Sequence, residues 1–169
     1  RALVAIEEKN PDLTDKESVA QMVGVGAVIF HDLFNQRIKN VEFSWDEVLS
    51  FDGTTGPYVQ YTCARAKSVL RKGNFYSDIA GIVDTAAATA EDTLAGIDCS
   101  VFTDDTSYTL IKTLIGYNDA VKAAAERYEP SIIARYLISV AAAFNKFYHE
   151  CSILHAEDHE KKARLVLTD

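Results

Sequence analysis

With 169 residues, 48% hydrophobic and 25% charged, the chain has the size and apolar content for one folded domain and is not disordered by composition. Its net charge of −8 excludes a protein that grips nucleic acid by bulk positive charge, so any RNA contact needs a local basic surface. The cysteines Cys63, Cys99 and Cys151 are odd in number and form no Cys-x-x-Cys pair, which argues against a disulfide scaffold and for free thiols in a reducing compartment.

No apolar run reaches the roughly 18 residues of a membrane span, and there is no signal peptide or lipidation motif, so the expectation is a soluble, cytoplasmic protein with no membrane partner. The chain opens on Arg1-Ala2-Leu3-Val4 without an initiator methionine and reads as a piece of something longer.

Taken in order, residues 2–9 predict a helix that Asn10-Pro11-Asp12 stops. Thr14-Asp15-Lys16-Glu17 has the form of a capping box, opening a helix to about Phe34 with Val19, Met22, Val23, Gly26, Ala27 and Phe30 at mixed three- and four-residue spacing. The Gly24-x-Gly26 pair lies inside this helical pattern and not after a strand, so close helix packing explains it better than a phosphate-cradling loop. Val41-Glu42-Phe43 reads as a short extended piece. Ser44-Trp45-Asp46-Glu47 then makes a second capping box, with the sole tryptophan expected in the core beside Val48, Leu49 and Phe51.

After the turn holding Gly53 and Gly56, Pro57 suits the first position of a helix, where its missing N–H is not needed. At about 3.6 residues per turn, Val59, Cys63, Ala66 and Leu70 fall on one line and Tyr61, Arg65, Ser68 and Lys72 roughly opposite, with Gln60, Lys67 and Arg71 on a flank. A surface helix of any protein shows this pattern. Four cations, an amide and two tyrosines on the outer side would also suit a polyanion with stackable rings, and Lys112, Lys122 and Arg127 would add to that surface.

The alanine-rich stretch from Phe75 to Cys99 carries Ile79, Ile82, Val83, Ala86 and Ala90 at helical spacing, weakened by Gly81 and several threonines, and is expected to be the most mobile part. Asp104-Asp105-Thr106 predicts the cap of a helix bearing Tyr108, Leu110, Ile111, Leu114 and Ile115, ended by Gly116. Asn118 is the expected cap of a helix over residues 119–128, which Glu129-Pro130 closes. The longest helix follows, about Ser131 to Cys151, with Ile133, Leu137, Val140, Phe144, Phe147 and Cys151 inward, Arg135, Ser139, Ala142 and Lys146 outward, and Tyr148 at the edge. A last helix spans about 156–169. The predicted fold class is all-α, a helical bundle.

The order of residues says more than their periodicity. Gly53-x-Thr55-Gly56-Pro57-Tyr58-Val59-Gln60-Tyr61, followed by Ala64-Arg65 and Ser68-Val69-Leu70-Arg71, resembles the segment after the active-site domain of arginyl-tRNA synthetases. Gly24-Val25-Gly26-Ala27-Val28-Ile29-Phe30-His31-Asp32-Leu33 and the run from Phe43 to Gly53 resemble that family's preceding helices. Tyr128-Glu129-Pro130, Ala134-Arg135-Tyr136-Leu137, Ala143-Phe144-Asn145-Lys146-Phe147-Tyr148 and Ala163-Arg164-Leu165 resemble its helical DALR-type anticodon-binding domain. Residues 73–105 are the least distinctive.

The resemblance implies a helical segment over 1–55 following an absent catalytic domain, and an anticodon-binding domain over 56–169 that stops short of the family's final helix. It implies that Tyr58, Gln60, Tyr61 and Arg65 lie where the anticodon stem and inner surface of the tRNA pass, and that Tyr148 matches an aromatic position offered to the anticodon loop. Lys72, from the cationic side of the same helix, completes the expected tRNA-binding set. Cys63 and Ser131 stand where the family often has histidine, and no role is assigned to either.

The implied activity belongs to the intact enzyme, which activates arginine with ATP and magnesium and transfers it to tRNA(Arg). Its two class I signatures are absent from this sequence, so no catalytic residue and no cofactor are expected here. His149, Cys151, His155 and His159 lie close in sequence, but His155-Ala156-Glu157-Asp158-His159 has the glutamate in the wrong place for a metalloprotease helix, and no metal is expected. The alternative reading is a helical protein–protein module; a stand-alone enzyme would require activity from this chain alone.

Overall fold

The computed structural model describes residues 1–9, 11–75 and 97–169. The helix expected between Phe75 and Cys99 falls almost wholly outside them. The described elements are α1 (Ala2–Lys9), α2 (Lys16–Phe34), α3 (Trp45–Val48), α4 (Gly56–Lys72), a 3₁₀ turn (Cys99–Val101), α5 (Asp105–Ile115), α6 (Tyr117–Arg127), α7 (Ser131–Glu150) and α8 (Asp158–Thr168). No strand occurs among the described residues, and the fold class is all-α. Two compact units divide the chain: Arg1–Tyr61 with Gly116–Ala141, and Thr62–Ile115 with Ala142–Asp169. Helices α4 and α7 each contribute to both.

In the first unit α2 is the spine, with α1 and α3 packed on it. Its one fully buried residue is Ala27. A Cβ on Gly26 would lie 2.5 Å from Gln60 Nε2, and one on Gly56 would lie 2.9 Å from the Gly26 carbonyl oxygen, so paired glycines let α4 begin against the α2 backbone. The 34–37 segment is tied down by Arg37, which donates to the Tyr128 carbonyl at 2.6 Å, and by Arg135, whose guanidinium sits 5.6 Å over the Phe34 ring.

Neither expected capping box forms. Asp15 precedes α2 in the left-handed region (φ 62°), and the side chain of neither Asp15 nor Ser44 caps its helix. Helix α6 starts at Tyr117, one residue ahead of the expected cap Asn118, with Gly116 before it. Trp45 is not core: it is 45% exposed and stands edge-on to the equally open Phe43, ring centroids 4.7 Å apart, while Val48 takes the buried place on α3. A four-residue helix offers only one such place, and the smaller side chain fills it.

The second unit is built on a continuous core of Val69, Leu70, Phe75, Leu110, Ala143, Phe144, Phe147, Ile153 and Leu165. Gly73 sits where α8 comes closest, since a Cβ there would meet the Leu165 methyl groups at 2.7 and 2.9 Å. On the part of α4 that belongs to this unit the buried positions are Thr62, Val69 and Leu70, with Ala66 packed against the core; Leu70 and Ala66 lie inward as expected, whereas Thr62 takes the buried place expected of Cys63, which is exposed. Leu137 on α7, expected inside, is also exposed; alanines take the close contacts at 134, 141 and 143.

Candidate nucleic-acid interface

Helix α4 carries most of the predicted site, and its start is fixed by a residue that the proline signal concealed. Thr55 Oγ1 accepts the Tyr58 N–H at 3.2 Å and donates to the Ser50 carbonyl at 2.6 Å, closing the turn ahead of Pro57. In the first unit, Tyr58 is half-buried, and Tyr61 is half-open with its ring edge-to-face with Phe51 at 6.3 Å. Gln60 is not displayed as expected. Its Nε2 donates to the Met22 carbonyl at 3.2 Å in the space that Gly26 leaves, and its buried Oε1 has no hydrogen-bond partner among the described residues.

The second unit brings Arg65 and Tyr148 together. The Arg65 guanidinium carbon lies 5.1 Å over the centroid of the Tyr148 ring, close enough for cation–π attraction. The ring also stacks with Phe144, one turn back on α7, at 6.4 Å and 27°, which anchors it to the core. Two residues that the sequence did not single out complete the cluster. Arg65 Nη1 donates to Asn145 Oδ1 at 2.5 Å, and Asn145 Nδ2 donates to the buried Thr62 hydroxyl at 2.9 Å. The only sequence signal for Asn145 is an amide inside the apolar run Ala143-Phe144-Asn145-Lys146-Phe147.

Lys67, Arg71 and Lys72 are exposed along the last turns of α4. Of the additional cations, Lys112 is exposed on α5, Lys122 lies 4.0 Å from Glu126, and Arg127 is exposed. Helix α4 thus carries four cations and no acidic side chain within an acidic chain.

A partly buried polar knot ties α5 to the end of α7 in the same unit. Asp104 caps α5, accepting the Thr106 and Ser107 N–H groups at 3.0 and 2.8 Å and the Ser107 hydroxyl at 2.7 Å. Thr106 Oγ1 also donates to it, and the Cys151 thiol donates at 3.4 Å. Burial opposes ionisation of Asp104, but the bonds from Ser107 and Thr106 outweigh it and hold the carboxyl well below the usual range. Burial pushes the Cys151 thiol up, and the Asp104 charge adds to the rise. Among the described residues, no three His, Cys, Asp or Glu side chains converge as metal ligands. His159 pairs with Glu157 at 3.8 Å.

Comparison with known proteins converges on one family. The DALR anticodon binding domain matches residues 59–169, and the catalytic domain of class I tRNA synthetases of the arginine type matches residues 1–45. The chain is 50% identical over 162 residues to arginine–tRNA ligase of Enterococcus faecalis and 47% identical over 162 residues to that of Halothermothrix orenii, in each case 96% of this chain and 26% of the relative. The solved arginyl-tRNA synthetase of Thermus thermophilus superimposes with a TM-score of 0.77 at 34% identity, over 99% of this chain and 26% of that one. The chain thus spans about a quarter of the length of these relatives. It belongs to the DALR anticodon-binding domain family, in the form carried by arginine–tRNA ligases, together with the end of a class I catalytic domain.

Proposed function

We propose that this chain is the tRNA-binding C-terminal part of an arginine–tRNA ligase: it positions tRNA(Arg) and reads the anticodon loop, with residues 1–55 leading out of the catalytic domain and 56–169 forming the anticodon-binding domain. The observation that carries the reading is the guanidinium of Arg65 over the core-anchored Tyr148 ring, beside the exposed cations of α4. Unpaired loop bases are recognised by stacking on aromatic rings and guanidinium planes, and the phosphates by cations. Tyr148 contacts the loop bases, Arg65 and Lys72 contact backbone phosphate, and Tyr58 and Tyr61 meet the stem. Gln60 contributes by holding α4 to α2.

In the intact protein the activity is ATP-dependent attachment of arginine to tRNA(Arg), in the cytoplasm. ATP and magnesium do not fit the residues described: the Gly24–Gly26 backbone is inside α2 with Gln60 against it, and no metal-ligand set converges among them. No step of arginine activation is assigned to this chain. The apolar groove lined by Leu3, Val25, Val28, Ile29, Trp45 and Leu49 is where the rest of the catalytic domain packs, since residues 1–45 match that domain's sequence.

Competition for binding tests the reading. The anticodon stem-loop of tRNA(Arg) should displace labelled tRNA(Arg) from the 169-residue chain, and the same stem-loop with a foreign anticodon should displace it less well. Equal displacement by both would contradict anticodon reading.

A further inference from the structure

We propose that Asn145 is a positioning residue for RNA binding: it holds the Arg65 guanidinium over the Tyr148 ring by bridging that guanidinium to the buried hydroxyl of Thr62. The proposal rests on the reading of the chain as a tRNA-binding module and assigns to one amide the geometry of that site. The amide uses both of its ends. Its carbonyl takes Arg65 Nη1 at 2.5 Å, and its NH2 group is satisfied by Thr62 Oγ1 at 2.9 Å, so its orientation is set by a residue 6% exposed. Asn145 also stands three residues before Tyr148 on α7, so the residue that anchors the guanidinium and the ring that receives it project from the same side of one helix.

An arginine side chain on a surface helix samples many rotamers, and ordering it on binding weakens affinity. Arg65 is ordered before RNA arrives. Because Asn145 is neutral, it fixes the guanidinium without cancelling its charge, which a carboxylate at the same place would do. The amide therefore fixes the plane of the guanidinium and adds no opposing charge of its own.

Two variants of the 169-residue chain test this against labelled tRNA(Arg), with the side-chain Nε–Hε resonance of Arg65 as the structural readout. With the guanidinium carbon 5.1 Å over the Tyr148 centroid, ring current is expected to shift that proton upfield in the wild type. Asn145→Leu is expected to remove the upfield shift, leave the resonances of Phe144 and Phe147 in place, and weaken binding about five- to tenfold. Asn145→Asp is expected to keep the upfield shift, while the slope of log affinity against log salt becomes shallower by about 0.9, as expected when one fewer phosphate is neutralised.

Wild-type affinity in Asn145→Leu, or an Arg65 resonance that stays shifted in it, overturns the positioning role. If Asn145→Leu unfolds, Asn145→Asp decides alone, and an unchanged affinity and slope overturn the proposal. Absence of binding by the wild type removes the tRNA-binding reading itself, and this inference with it.

Discussion

Helices α2 and α7 are nearly equal in length, 19 and 20 residues, and each carries an apolar stripe, yet they end in opposite conditions. Helix α7 buries Ala134, Ala141, Ala143, Phe144 and Phe147, whereas α2 buries Ala27 and leaves Met22, Val25, Ile29 and Leu33 open to solvent. Periodicity reports that a face is apolar. It does not report whether anything in the same chain covers it. The helix matched by the anticodon-binding family buries apolar residues within this chain, and the one matched by the catalytic-domain family leaves several of its own exposed.

The largest expected effect breaks α7. Phe147 has no exposed surface, so Phe147→Ala should destabilise the chain by about 3–5 kcal/mol in urea unfolding. A loss below about 1 kcal/mol would mean that the core of the second unit is not where the structure puts it. Next in size, Tyr148→Ala should weaken tRNA(Arg) binding by about 1–3 kcal/mol while changing stability much less than Phe147→Ala does, because the ring is 37% exposed. Equal stability losses for the two would make Tyr148 a core residue only.

Removing the α5 cap with Asp104→Ala should cost about 1–2 kcal/mol, read from the urea midpoint near neutral pH. The sign of its pH dependence follows from the depressed carboxyl. The folded chain binds the Asp104 proton less readily than the unfolded chain, so the contribution is fully present above the ordinary aspartate value of about 3.9 and is lost as pH falls below it. Midpoints measured from neutral pH into acid should converge for wild type and Asp104→Ala; a constant gap would contradict the assignment. Smallest of all, Ile29→Ala on the open face of α2 should change the stability of this chain by no more than about 0.5 kcal/mol. A cost comparable to Phe147→Ala would show that face to be covered.

The helices were legible because their apolar spacing and proline or glycine stops are local, and the family was legible because the run from Gly53 to Arg71 fixes residue identity as well as pattern. Rotation about a helix axis is harder to read. One residue is about 100° of turn, so Thr62 and Cys63 are distinguished only by what faces them, and the amide of Asn145 on α7 selects the hydroxyl. Side-chain type points Leu137 and Trp45 inward, but their exposure depends on whether another element reaches them. The polar helix flank points Gln60 outward; the gap at Gly26, more than thirty residues earlier in the chain, turns it in. The Asp104–Cys151 bond joins residues 47 apart and has no local signature.

The most direct test of the central claim, that an acidic chain binds tRNA through a narrow cationic strip on α4, is the salt dependence of tRNA(Arg) binding by the wild type and by Arg65→Ala. The account predicts a negative slope of log affinity against log salt for the wild type, and a slope shallower by about 0.9 for the variant. A wild-type slope near zero, or identical slopes for the two proteins, would contradict it.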